Sequence, residues 1–229
     1  MNFNTSEKVV NKTCILIGAG EFNVDPKSVE KDAYIIAVDG GIDYCRLYSI
    51  NPDLFLGDFD SLSEAGRKFL FHINENYPKK VISLPKEKDD TDMLAAIKEG
   101  MKRGMLNFKI FGGLGKRLEH TIANIQCLIY LKNKGARGEL IDKGIRISVI
   151  RDESMRFERE KKGYLSCFCM GAEARSVSIR GMKYKLNDVS LTDSYPIGIS
   201  NEFIGEESEI EVKEGLLLII ESEFDNIGK

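Results

Sequence analysis

The chain of 229 residues has no tryptophan and no excess of basic residues, and its five cysteines are an odd number. Without tryptophan, a ligand ring that needs a flat partner must find it in tyrosine or phenylalanine. A net charge of −3 and a pI near 5.6 argue against a nucleic-acid binder, which is usually basic. Apolar runs are short. Stretches such as LLLII (Leu216–Ile220) fall far below the roughly 20 residues a membrane helix needs. The opening MNFNTSEKVVNK is polar and carries no signal-peptide core. Cys14, Cys45, Cys127, Cys167 and Cys169 are scattered, mostly in apolar segments. That pattern argues against a disulfide framework and for reduced thiols in a cytoplasmic protein. Cys167 and Cys169 stand two apart in LSCFCMG, but no second Cys or His pair accompanies them as zinc would require.

What is present is a core. Apolar residues make up 42% of the chain, ample for one large domain or two small ones. Residues 1–143 alternate short apolar runs with helical patterns. Strands are predicted at Thr13–Gly18, Tyr34–Asp39, Leu54–Asp58, Val81–Pro85, Phe108–Gly113 and Gly138–Asp142. Between them, TDMLAAIKEGMKRG sets Leu94, Ile97 and Met101 on one helical face. RLEHTIANIQCLIYLKNKG does the same with Leu118, Ile122, Ile125 and Ile129. Near-continuous apolar strands alternating with helices imply an α/β domain with a doubly wound, largely parallel sheet. Over residues 144–229 the texture changes to short alternating runs broken by Gly, Asn, Asp and Lys. These include IRISVIRD, LSCFCMG, ARSVSIRG, EIEVKEG and LLLIIESEF, and they predict an antiparallel β-sandwich domain. RDESMRFEREKKG reads as a solvated hairpin edge.

In open α/β sheets, ligands gather beyond the carboxyl ends of the strands. The polar oddities collect there: VDGG after the second strand, GDFDS after the third, KEKDDTD after the fourth and GGLGKRLEH after the fifth. In extended backbone, Asp58 and Asp60 would point the same way, about 6.6 Å apart along the strand. Acids beside glycines and the cations Lys116 and Arg117 suit a divalent metal carrying polyphosphate. Each piece also has a plain reading. Asp39-Gly40-Gly41 can be a tight turn, Ser61 or Ser63 a helix cap, and Asp89, Asp90 and Asp92 acids that favour a helix start. His120 sits on a polar helix start and fits ligand contact or ordinary surface alike. The coincidence of four such turns on one sheet edge favours chemistry.

VDGG, LGDFDSL, KDDTDMLAAI, GKRLEHTIANI, GMKYKL and GISNEF, in this order, resemble the thiamine pyrophosphokinase family, from about residue 15 to about residue 220. The resemblance implies Mg²⁺-dependent transfer of a pyrophosphoryl group from ATP to thiamine, giving thiamine diphosphate and AMP. It also implies a homodimer with shared active sites. By position, Asp58, Asp60 and Asp92 would be the metal and catalytic carboxylates, and Asp39, Gly40 and Gly41 would border the nucleotide phosphates. Arg117, His120 and Lys116 would contact ATP, and Ser200 and Asn201 would lie on the thiamine side. Two positions depart from the family pattern: Glu119 stands where Asp is usual, and Lys116 where Gly is usual. Tyr184, Tyr195 and Phe203 are the candidates to stack on thiamine. Rival readings are a D-x-D nucleotide-sugar transferase or aspartyl-phosphate hydrolase, and a non-catalytic nucleotide or thiamine sensor. The transferase leaves the D-x-T-D and S-N-E elements unexplained. The hydrolase usually carries its D-x-D on the first strand.

Overall fold

The computed structural model describes residues 12–30 and 32–224. The polar N-terminal stretch, up to residue 11, lies outside the described residues. The chain packs as two compact units. One runs to Ala19 and resumes over Pro26–Lys109; the other takes Gly20–Asp25 and everything from Ile110 onward. The expected boundary at 143/144 falls within the second unit.

In the first unit, β1 (Thr13–Ile17), β2 (Tyr34–Val38), β3 (Leu54–Gly57) and β4 (Val81–Ser83) pair in parallel, each with the next. Only the first residue of β1 and of β2 is not buried, and β3 is buried throughout. That pattern belongs to strands covered on both faces. Three helices lie between or after them: α1 (Gly41–Leu47), α2 (Glu64–Asn76) and α3 (Asp92–Lys102). Ser63 caps α2 by accepting the Gly66 N–H at 3.0 Å, and Thr91 caps α3 by accepting the Leu94 N–H at 3.2 Å. The buried face of α3 is Met93, Ala96, Ile97 and Gly100, so of the expected stripe only Ile97 is fully enclosed. Gly100 explains the rotation. A side chain there would come within 2.7 Å of the Phe108 ring, so the helix packs on its smallest residue.

Strand β5 (Asn107–Phe111) spans the division between the units. In the second unit follow α4 (Leu118–Asn133), β6 (Arg137–Asp142) and β7 (Ile145–Arg151). Next come β8 (Ser154–Phe157), β9 (Tyr164–Cys169), β10 (Glu173–Arg180) and β11 (Leu186–Thr192), then β12 (Asn201–Glu202), β13 (Ser208–Glu211) and β14 (Leu216–Ser222). One antiparallel layer runs β12–β9–β14–β7–β6, and a second runs β11–β10–β13–β8. Leu165, Cys167, Leu217 and Ile219 of the first layer join Ala174, Val177, Ile179 and Ile210 of the second in one buried cluster. That is the sandwich the alternating runs predict. The polar strand β11 and the two-residue β12 were not expected from the sequence. The α4 stripe is also a correction. Cys127, Leu128 and Leu131 are the buried apolar residues, beside the buried Asn124, whereas Leu118 and Ile122 are 72% and 51% exposed. Among the described residues, no helix is long and apolar enough to cross a membrane.

Candidate active site

Two glycines let the ends of β1, β2 and β3 crowd together. A Cβ on Gly41 would stand 1.9 Å from the Ile17 carbonyl oxygen, so α1 can start against β1 only with glycine there. Gly57, at φ 155°, would bring a Cβ within 3.0 Å of the Asp39 Cα. Asp39 itself takes a left-handed turn at φ 47°, its N–H donating to the Leu56 carbonyl at 2.9 Å. Its Oδ2 accepts the Ser61 hydroxyl at 2.5 Å. Its Oδ1 is buried and has no hydrogen-bond partner, an arrangement native proteins rarely leave without a reason.

The DFD segment converges by a different route from the expected extended strand. Strand β3 ends at Gly57, and Phe59 turns left-handed at φ 61°. The turn is closed by the Asp60 N–H donating to the Asp58 Oδ1 at 3.3 Å. The result brings one carboxylate oxygen each from Asp39, Asp58 and Asp60 within 4.8 Å of one another. Two full charges at that spacing repel by about 3 kcal/mol at an effective dielectric of 20.

Asp92, the first residue of α3, is tied to this trio by Lys88, which sequence reasoning missed. The Lys88 ammonium lies 3.1 Å from the Asp58 Oδ2 and 3.2 Å from the Asp92 Oδ1, and it donates to the Pro85 carbonyl at 3.2 Å. The contact to Asp92 is an ion pair that falls short of hydrogen-bond geometry. The Lys88 and Asp58 side chains are each only 14% exposed. Burial alone would raise the Asp58 pKa; the Lys88 hydrogen bond and the Asp60 N–H outweigh it and hold the carboxyl below its ordinary value. For Asp92 burial wins, helped by the charges of Asp39 and Asp58, and its carboxyl is held above the ordinary value despite Lys88. Asp60 pairs loosely with Lys86 at 3.5 Å in solvent, and Asp90 pairs with Lys98 at 2.7 Å, away from the trio's ion pairs.

In the second unit, Gly115 and Lys116 both take positive φ, 73° and 53°, at the turn before α4. Arg117 stands at the helix start, its Nε donating to the Glu119 Oε1 at 2.6 Å with both side chains well exposed. The Glu119 N–H and Arg117 lower the Glu119 pKa. His120 is exposed on the first turn. Further on, Ser200 turns left-handed at φ 56°, its N–H donating to the Ser166 hydroxyl at 3.0 Å. The buried Asn201 side chain accepts the Tyr184 N–H at 2.9 Å and donates to the Tyr184 carbonyl at 2.6 Å. Asn201 therefore clamps the backbone of Tyr184, whose ring is 61% exposed. Of the other aromatic candidates, Tyr195 is exposed. Phe203 is buried against Phe157 at 5.1 Å, so its ring belongs to the core.

Comparison with known proteins fits this division of labour. Residues 26–139 match the family model "Thiamin pyrophosphokinase, catalytic domain", and residues 150–217 match "Thiamin pyrophosphokinase, vitamin B1 binding domain". The thiamine pyrophosphokinase of Bacillus subtilis is 28% identical over 215 residues, covering 92% of this chain and 99% of the relative. A crystal structure of the Bacillus subtilis enzyme superposes with a TM-score of 0.83 over 93% of this chain and 100% of that one. A thiamin pyrophosphokinase family protein from Enterococcus faecalis, 25% identical, gives a TM-score of 0.76 over 93% of this chain and 99% of its own. The structure pairs a parallel α/β unit with a β-sandwich, and both halves of the sequence match one family in order. This chain belongs to the thiamine pyrophosphokinase family.

Proposed function

We propose that the chain transfers a pyrophosphoryl group from Mg²⁺-bound ATP to the hydroxyethyl oxygen of thiamine, releasing AMP. One observation supports the metal assignment above the rest. Asp39, Asp58 and Asp60 converge on one point with a buried, unpartnered carboxylate oxygen among them. The donor set fits a hard divalent ion, since Mg²⁺ takes carboxylate and phosphate oxygens. The charge fits too. Four carboxylates, counting Asp92, face two ammonium groups, Lys86 and Lys88, leaving a formal excess of two negative charges.

Asp39, Asp58 and Asp60 would hold the ion, with Asp92 beside them. A bound Mg²⁺ would supply Lewis-acid polarisation of the phosphate oxygens and neutralise charge on the departing AMP. Arg117 and Lys116 add positive charge for the phosphates, and His120 extends that contact. Asp39, Gly40 and Gly41 would border the nucleotide phosphates at the turn into α1, with the glycines letting that turn pack against β1. The thiamine hydroxyl oxygen attacks the β-phosphorus, the bond from that phosphorus to the AMP oxygen breaks, and the hydroxyl proton passes to the Asp92 carboxylate. The raised pKa of Asp92 suits it to accept that proton. Ser200 contributes to the thiamine side, and Asn201 holds Tyr184 so that its exposed ring can stack on the vitamin. The functional unit in this reading is a homodimer, supported by the exposed Leu118 and Ile122 on α4. We place it in the cytoplasm, because all five cysteines are buried thiols outside any disulfide.

Incubation with ATP, Mg²⁺ and thiamine should release AMP in step with thiamine diphosphate. Asp58→Asn, which removes the charge and keeps the shape, should lower turnover on the order of a hundredfold or more at limiting Mg²⁺. A folded Asp58→Asn variant with near-normal turnover would refute the metal assignment. Ligand binding with no AMP formed would instead mark a sensor of the same fold.

A further inference from the structure

Lys88 places its ammonium inside the acid cluster. Its ammonium has three donors and is surrounded by three oxygens at 3.1–3.2 Å, from Asp58, Asp92 and Pro85. An all-oxygen shell around a compact positive charge is also what a hard metal ion selects. The contrast with Lys86 is instructive. Lys86 meets Asp60 at 3.5 Å with its side chain 72% exposed, where solvent screens the pair. Lys88 is 14% exposed and bridges two carboxylates that come from different elements, one after β3 and one opening α3. Without that bridge, Asp58 and Asp92 would face each other with no positive charge between them.

From this geometry we propose that Lys88 is a built-in counterion: it holds Asp58 and Asp92 in place until a divalent cation arrives, then yields the Asp58 carboxylate to the metal. Lys88 is thus a positioning residue that competes with the metal for Asp58 and tunes the affinity of the site. The proposal rests on the reading of the acids as the metal site, and the two can fail separately.

The test uses the full-length protein and Mn²⁺ alone as probe, with bound and free ion counted by electron paramagnetic resonance. Lys88→Met should bind Mn²⁺ on the order of tenfold more tightly than wild type, because a positive charge competing for the Asp58 carboxylate is gone. Lys88→Arg, which keeps the charge, should return affinity toward the wild-type value. In chelator, Lys88→Met should unfold a few degrees lower than wild type, about what an uncompensated pair of buried acids costs. Saturating Mn²⁺ should close that gap. Lys88→Gln serves as a second neutral variant should the methionine variant fail to fold. A merely structural lysine would give equal or weaker Mn²⁺ binding when neutralised, and that result would overturn the proposal. If neither wild type nor variant binds Mn²⁺ while wild-type turnover still requires Mg²⁺, the counterion role falls and the catalytic reading stands. If turnover is also independent of divalent ions, both fall.

Discussion

Phe59 and Lys116 both stand in left-handed backbone, at φ 61° and 53°, where side chains with a Cβ cost roughly 1–2 kcal/mol. Phe59 is held there by what it aims. The turn sends Asp58 and Asp60 to one point, and Phe59 lines an open cleft together with Leu62, Leu70, Phe71 and Val81. At the Lys116 turn a glycine would take the same φ without the cost of a Cβ. Lys116→Gly should relieve the turn at the expense of about 0.5–1 kcal/mol of unfolded-chain entropy, for a net gain of roughly 0.5–1 kcal/mol. Thermal unfolding should rise by about 1–4 °C; on the proposed contact of Lys116 with a phosphate, KM for ATP should increase severalfold. A lower melting temperature would show that contacts of the lysine side chain outweigh the strain. At this scale the acids were legible as candidates from their coincidence at successive strand ends, since each alone fits a turn, a cap or a helix start as well. Lys88 was not. A lysine in KEKDD reads as solvated, and only the approach of Asp58, thirty residues earlier, encloses it.

Elements were legible in proportion to how completely they are buried. The strands of the parallel sheet announce themselves because both of their faces are covered, leaving almost no polar interruption. Helix faces were harder to read. α3 packs on Gly100, which no hydrophobic count would choose, and α4 carries apolar residues on more than one side. β11 escaped notice because most of its residues are polar and solvent-facing, and its pairing with β10 is what makes it a strand. The start of α3 links element to chemistry. Thr91 accepts the Leu94 N–H and so fixes the turn whose first residue is Asp92. Thr91→Ala should cost about 1 kcal/mol of stability, read by urea unfolding. Because the loosened turn carries Asp92, kcat should fall severalfold at a temperature where the variant remains fully folded. Thr91→Ser, which keeps the hydroxyl, should restore both. Unchanged kcat in the alanine variant would mean that Asp92 needs no help from the cap.

For the whole molecule, composition and texture foretold two architectures in one chain, and the two family matches meet between residues 139 and 150. The two units carry different polar features: a cluster of acids in the parallel unit, and an exposed tyrosine clamped by Asn201 in the sandwich. What the sequence could not convey is which apolar residues face outward, since a helix that is apolar on several sides does not declare its buried one. Leu118 and Ile122, expected inside, are exposed, and burying a large apolar side chain contributes about 1.5–3 kcal/mol. A second copy of the chain covering α4 would recover that free energy. Light scattering coupled to gel filtration should therefore give twice the 25.8 kDa chain mass for the wild type. Ile122→Glu combined with Leu118→Glu should shift the protein toward the single-chain mass without loss of β structure by circular dichroism, because neither residue is in the core. A wild type that runs as one chain would refute the dimer, and a double variant that stays dimeric would move the interface away from α4. If active sites are shared between copies, turnover of the double variant should fall with protein concentration and recover as the dimer re-forms.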